Sequence, residues 1–199
     1  MELLLATHNS GKVREMSRLL GSPEFNIISL KDVGIEHEVE ETGTTLEANA
    51  SLKASFYYQL SFMTVLSDDS GLEVSALGGA PGVHSARYAG NSATDSERIE
   101  YLLSKLKNYG IGPWEAKFRC VIAIAWNQDD VELHSGECSG LIVDRPRGKT
   151  GFGYDPIFFI PKLGKTMGEL SIEEKNQISH RSIACSKALR SLEIRLTKQ

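Results

Sequence analysis

The chain has 199 residues, of which 41% are hydrophobic and 24% charged, the make-up of a folded globular protein and not of a disordered one. With 22 Lys and Arg against 26 Asp and Glu, the formal net charge is −4. That balance argues against a sequence-independent nucleic-acid binder, which needs surplus basic charge, while leaving room for a local basic pocket. One domain over residues 1–199 is expected, able to bury roughly 70% of its unfolded surface without disulfide or structural metal.

The first element is a buried strand over Glu2–Thr7, ending in the turn signal His8-Asn9-Ser10-Gly11. A helix follows from Gly11, with Val13, Met16, Leu19 and Leu20 on one face. Asn26–Leu30 reads as a second strand. Beyond the acidic stretch Glu36–Glu41, Thr44 with Glu47 forms a capping box for a helix over about 45–60. Met63–Leu66 reads as a buried strand that runs straight into Ser67-Asp68-Asp69-Ser70-Gly71. Gly78–Gly82 is loop. Thr94 with Glu97 caps a helix carrying Ile99, Leu102, Leu103 and Leu106. Ala116–Trp126 and Val131–Val143 flank a polar turn as an antiparallel hairpin. Arg145–Pro156 is a basic, glycine-rich loop and Ile157–Ile160 a short strand. Ser171 with Glu174 opens a short helix, and a last helix spans about 180–196. Strands alternating with helices, then a hairpin, make an α/β protein with a mixed sheet.

Cys120, Cys138 and Cys185 are widely spaced and form no C-x-x-C pair, which disfavours a thiolate zinc site and fits a reduced, cytoplasmic setting. No apolar stretch approaches 18 residues, so no membrane association is expected. Asn49-Ala50-Ser51 is a chance match to the glycosylation pattern. Phosphate-loop, dinucleotide, zinc-protease and nucleophile-elbow signatures are all missing.

Three constellations carry chemistry. Thr7–Lys12 joins a buried strand to a helix N-terminus, where free N–H groups and the dipole favour an anion. Lys12 opposes that dipole, so either an anion offsets it or it is a solvated turn lysine. Asp68-Asp69 at a strand end repel each other unless a cation or donors intervene. With Glu40 and Glu41 they suit a hard cation such as Mg²⁺, or else form a polar turn. Arg145–Asp155 could set an aromatic ring against a base and charges near phosphates, or be a flexible surface loop. Glu15, Arg14 and Arg18 read as the solvated face of the first helix.

The strings ATHNSGK from Ala6, EETGTTLEANASLKA from Glu40, SDDSGLEVSALGGAPGVHSARYAG from Ser67, GFGYDPIF from Gly151 and EKNQISHR from Glu174 closely resemble the inosine triphosphate pyrophosphatase family. The likeness spans about residues 3–190. It implies a two-lobed, elongated α/β fold with a long mixed β-sheet flanked by helices and an active-site cleft between the lobes. It also implies a Mg²⁺-dependent homodimer that hydrolyses ITP, dITP and XTP to the monophosphate and pyrophosphate. Carried over by motif, Thr7, His8, Asn9, Ser10, Gly11 and Lys12 form the phosphate-binding turn. Glu40 and Asp69 hold the metal, Asp69 is also the general base, and Ser70 touches substrate. Phe152, Gly153, Tyr154 and Asp155 form the base-side loop, its backbone N–H groups being candidate donors. Lys175, His180 and Arg181 hold the base and the triphosphate, and Lys53 lies near the phosphates. Ala48, Ser75 and His84 depart from the family's usual Glu, Asp and Tyr. The alternatives are a Maf-type pyrophosphatase of pyrimidine or modified nucleotides, disfavoured by the SHR and GFGYD strings, and a nucleotide sensor, which would not need the full acid set.

Overall fold

The apolar run after Met1 becomes β1 (Glu2–Ala6), with Leu3, Leu4, Leu5 and Ala6 all buried. A continuous apolar run is what a strand shows when both its faces are covered inside a parallel sheet. β1 indeed pairs in parallel with β2 (Asn26–Ser29) on one side and β3 (Val65–Val74) on the other. In this computed structural model, which describes residues 1–197, seven strands form one open sheet in the order β2-β1-β3-β4-β5-β6-β7. β4 (Trp114–Ala125) and β5 (Val131–Ile142) are neighbours joined by residues 126–130, too short for a parallel crossover. β6 (Phe158–Ile160) is antiparallel to β5 and to β7 (Lys165–Thr166). The sheet is therefore mixed, as the sequence predicts. β7 has only a lysine and a threonine and leaves no apolar signature.

Among the described residues five α-helices accompany the sheet: α1 (Ser10–Leu19), α2 (Leu46–Ser61), α3 (Asp95–Leu106), α4 (Ile172–Ile178) and α5 (His180–Leu196). The capping boxes at Thr94/Glu97 and Ser171/Glu174 form as expected. At α2 the cap is Thr45, one residue later than the sequence suggests. Its Oγ accepts the N–H of Ala48 at 3.1 Å, and with alanine at that position no acidic side chain reaches back to close the box.

The described residues group into two compact units. The first comprises residues 1–69, 120–136 and the chain from His180 onward. Its core sets Leu3, Leu5, Leu66, Ile122 and Ile124 of the strands against Met16 of α1, Leu20 at its C-cap, and Ala184, Ala188 and Leu192 of α5. The second comprises residues 70–119 and 137–179. There Leu72, Val74, Phe118, Ile142 and Phe158 pack with Ile99, Leu102 and Leu106 of α3. The rings of Phe118 and Phe158 meet at a centroid distance of 4.4 Å. Among the described residues no helix is long and apolar enough to cross a membrane. The three cysteines are free thiols, Cys120 and Cys185 buried and Cys138 half-buried.

Candidate active site

The polar turn, one of the two readings of residues 67–71, does not form. β3 runs straight through it to Val74, and Asp68 and Asp69 are both buried within the strand. Side chains alternate along a strand, so the two carboxylates go to opposite faces and meet different neighbours. Asp68 shares the side of Leu66, where α1 and α5 pack. Its Oδ2 lies 3.0 Å from Lys12 Nζ and 3.7 Å from Arg181 Nε. Burial opposes its ionisation, but Lys12, Arg181 and Lys53 outweigh that and hold its pKa down to about 2. Asp69 faces α2 with Ser67, whose hydroxyl donates to the Ala50 carbonyl at 2.6 Å. Here burial wins, with Glu41 and Asp68 adding repulsion, and the pKa of Asp69 is raised despite Lys53 and Lys12. One strand thus carries two adjacent acids with proton affinities pushed in opposite directions.

The turn before α1 is built by Asn9, whose Oδ1 caps the helix by accepting the N–H of Lys12 at 3.0 Å. The Asn9 N–H in turn donates to Thr7 Oγ at 3.3 Å. Ser10 and Gly11 open the helix, Gly11 buried. The anion that offsets Lys12 in the first turn is the protein's own Asp68. His8 lies edge-on to Tyr57, whose hydroxyl donates to the His37 carbonyl at 3.0 Å.

Asn49, Lys53 and Tyr57 recur every fourth residue on α2 and share one buried face. Lys53 Nζ sits 2.5 Å from Glu41 Oε1 and 3.6 Å from Asp69 Oδ1. Burial disfavours its charge, yet Asp69, Asp68 and Glu41 together raise its pKa. Asn49 Nδ2 donates to Asp69 Oδ2 at 3.1 Å. Glu40 is exposed beside this group, while Glu41 is within it.

Arg181 is buried and bonds Glu15 through Nη1. Glu15, expected on a solvated helix face, is therefore the ion-pair partner of Arg181, because α1 and α5 pack side by side. His180, also buried, is the first residue of α5. Its carbonyl passes so close to β5 that a Cβ on Gly136 would lie 2.2 Å from it.

In the second unit, Ser70 follows Asp69 along β3. Phe152–Asp155 folds on itself: Asp155 Oδ2 accepts the Phe152 N–H at 2.9 Å and Lys175 Nζ at 2.7 Å. That ammonium also lies 5.2 Å from the centroid of the Phe152 ring. Gly151 has φ of +78°, and a Cβ there would come within 2.0 Å of Asp155 Oδ2, so this turn admits only glycine. The Gly153 N–H donates to Asp95 at 2.7 Å and the Asp155 N–H to the Phe152 carbonyl at 3.3 Å. The backbone N–H groups of Phe152, Gly153 and Asp155, among the donors expected to read a base, are thus engaged within the fold. Buried Tyr154 donates to the Ser85 carbonyl at 3.0 Å.

Hard carboxylate oxygens clustered about one lysine are the donor set that Mg²⁺ uses. That ion takes one or two carboxylates and completes its shell with water and phosphate oxygens. Glu41 and Asp69, which both reach Lys53, fit that demand, and Glu40 precedes Glu41 in the chain. Among the described residues no group of three His, Cys, Asp or Glu could hold a metal ion by itself.

Fold and site together define an α/β protein with an open mixed sheet and a carboxylate–lysine cluster at the middle of its third strand. The chain belongs to the Ham1 family, whose sequence profile matches residues 3–191. It is 44% identical over 192 residues to a dITP/XTP pyrophosphatase of Bacillus subtilis, covering 96% of this chain and 97% of that one. It is 46% identical over 186 residues to the dITP/XTP pyrophosphatase of Geobacillus kaustophilus, covering 94% and 91%. Its fold is similar to that of a HAM1 protein from Coxiella burnetii, with a TM-score of 0.89, 42% identity, and 97% and 98% of the two chains covered.

Proposed function

We propose that this protein hydrolyses non-standard purine nucleoside triphosphates (dITP, ITP and XTP) to the monophosphate and pyrophosphate, removing them from the nucleotide pool. The observation that carries the reading is its membership of the Ham1 family, with near-full-length relatives named dITP/XTP pyrophosphatases.

Asp69 is the general base, supported by its raised proton affinity. It takes a proton from a water whose oxygen bonds to the α-phosphorus. The bond from that phosphorus to the bridging oxygen breaks, and pyrophosphate leaves with the oxygen. Asp68 stays ionised and fixes Lys12 and Arg181. Lys12 and Lys53, with the helix start Thr7–Gly11, offset phosphate charge. Glu40 and Asp69, joined by Glu41, hold Mg²⁺, which when bound neutralises phosphate charge and polarises the attacked phosphorus. Ser70 contacts the substrate, and the Phe152 ring stacks on the base. Gly153, Tyr154 and Asp155 shape that loop, and Lys175 adds charge to it. His180 and Arg181 donate toward the base and the triphosphate.

A homodimer and a cytoplasmic location complete the proposal. The dimer rests on the family resemblance, and sedimentation at micromolar concentration tests it. A mass of 21.9 kDa, that of one chain, would contradict it. Product analysis tests the reaction itself: dITP with Mg²⁺ yields dIMP and pyrophosphate in equal amounts. Release of single phosphates, or preferential turnover of UTP and dTTP, contradicts the reading.

A further inference from the structure

Asn49 was set aside by the sequence as part of a chance glycosylation triplet, and burial removes it from any such chemistry, since it is 0% exposed. A buried carboxamide needs hydrogen-bond partners, and this one has a bond at each end. Its Oδ1 accepts the N–H of Gly43 at 2.8 Å. A backbone N–H can only donate, so this bond fixes which end of the amide is oxygen. The NH₂ end therefore points to Asp69, where Nδ2 meets Oδ2 at 3.1 Å. The approach at Gly43 is close, for a Cβ there would lie 2.5 Å from Asn49 Oδ1.

From this arrangement we infer that Asn49 is a positioning residue, which holds the carboxylate plane of Asp69 and ties it to the loop carrying Glu40 and Glu41. The amide occupies one oxygen of Asp69 and leaves the other, Oδ1, facing Lys53 at 3.6 Å. The same residue anchors that loop two positions after Glu41, whose own carboxylate meets Lys53 at 2.5 Å. Asn49 and Lys53 lie one helical turn apart on α2. A rigid helix thus sets both partners of Asp69 at a fixed spacing. In this role Asn49 acts through Asp69 and does not touch the substrate. The inference rests on the proposed role of Asp69.

Two variants separate positioning of Asp69 from simple anchoring of the loop. Asn49→Ala removes both bonds. Asn49→Asp keeps an acceptor for Gly43 and removes the donor to Asp69. Loss of an outer partner of a functional carboxylate typically costs 10–100-fold in activity. Both variants are therefore expected to lose roughly 10–100-fold in kcat for dITP, with KM moving less than about threefold. Amide hydrogen exchange at Gly43 gives a readout independent of turnover. It accelerates in Asn49→Ala and stays slow in Asn49→Asp. An Asn49→Asp protein that keeps kcat within twofold of the unmodified enzyme overturns the inference, as does a loss expressed only in KM. Asp69→Asn, measured alongside, keeps the two claims apart. If it is inactive while Asn49→Asp is not impaired, only the positioning role fails; if it retains turnover, the reading of Asp69 fails and takes this one with it.

Discussion

Asp68 and Asp69 are one peptide bond apart and do opposite things. Asp68 is surrounded by Lys12, Arg181 and Lys53, and its carboxyl is held down to about 2. Asp69 is pushed upward by burial and by its acidic neighbours. Pairs of acids driven apart in this way mark a division between a fixed charge and a proton acceptor. Asp69→Asn keeps the shape and removes the acceptor, so kcat should fall by a factor on the order of 10²–10⁴ or more with an unchanged circular dichroism spectrum. A variant retaining half the unmodified kcat would refute the assignment. Asp68→Asn acts on stability instead. It removes the buried counter-charge of Lys12 and one of the two carboxylates beside Arg181, at a cost of about 3–5 kcal/mol in urea unfolding at neutral pH. Because Asp68 titrates lower folded than unfolded, its contribution is present above about pH 4 and is lost as the pH falls through about 2. The gap in stability between Asp68→Asn and the unmodified protein should therefore close across that window. A gap that stays constant from pH 5 to pH 2 would contradict it. The sequence shows both aspartates but not their division of labour, because alternation along a strand matters only once residues 67–71 are known to be strand and not turn.

At the scale of elements, propensity favours a turn in Ser67–Gly71 and tertiary charge overrides it. Cations supplied by α1, α2 and α5 make two buried aspartates tolerable, and β3 continues. The same packing explains Glu15: the apolar face of α1 alone leaves it among the solvated residues, whereas α5 brings Arg181 to it. Elements with local punctuation were legible in advance. The capping boxes of α3 and α4, the apolar run of β1 and the polar turn between β4 and β5 all appear where their residues place them. Long-range contacts leave weaker traces, and Gly136 is an instance. It sits in β5, and its glycine is explained by the start of α5 packed on it, where a Cβ would lie 2.2 Å from the His180 carbonyl and 2.6 Å from the Ala184 nitrogen. Gly136→Ala should push the first turn of α5 off the sheet and cost about 1–3 kcal/mol, read as a lowered unfolding midpoint. A variant as stable as the unmodified protein would show that this approach is not tight.

For the molecule as a whole, composition and alternation of strands with helices predict the α/β class and mixed sheet, and family resemblance adds the chemistry. The residues assigned to that chemistry divide between the two units. Thr7–Lys12, Glu40, Lys53, Asp69, His180 and Arg181 belong to the first, and Ser70, Phe152–Asp155 and Lys175 to the second. Base selectivity is the property for which such an enzyme exists. Hypoxanthine and xanthine present a carbonyl where adenine presents an amino group, so a donor aimed at that position is left unsatisfied by ATP at about 1–3 kcal/mol. Guanine shares the carbonyl and must be rejected at its 2-amino group. Matched donors and acceptors can separate such analogues by roughly 10⁴–10⁵. Steady-state pyrophosphate release by the unmodified protein with Mg²⁺ over dITP, XTP, ATP and GTP tests this selectivity. Values of kcat/KM for dITP and XTP should lie far above those for ATP and GTP; equal values for dITP and ATP would contradict the proposed function, even with hydrolysis itself observed.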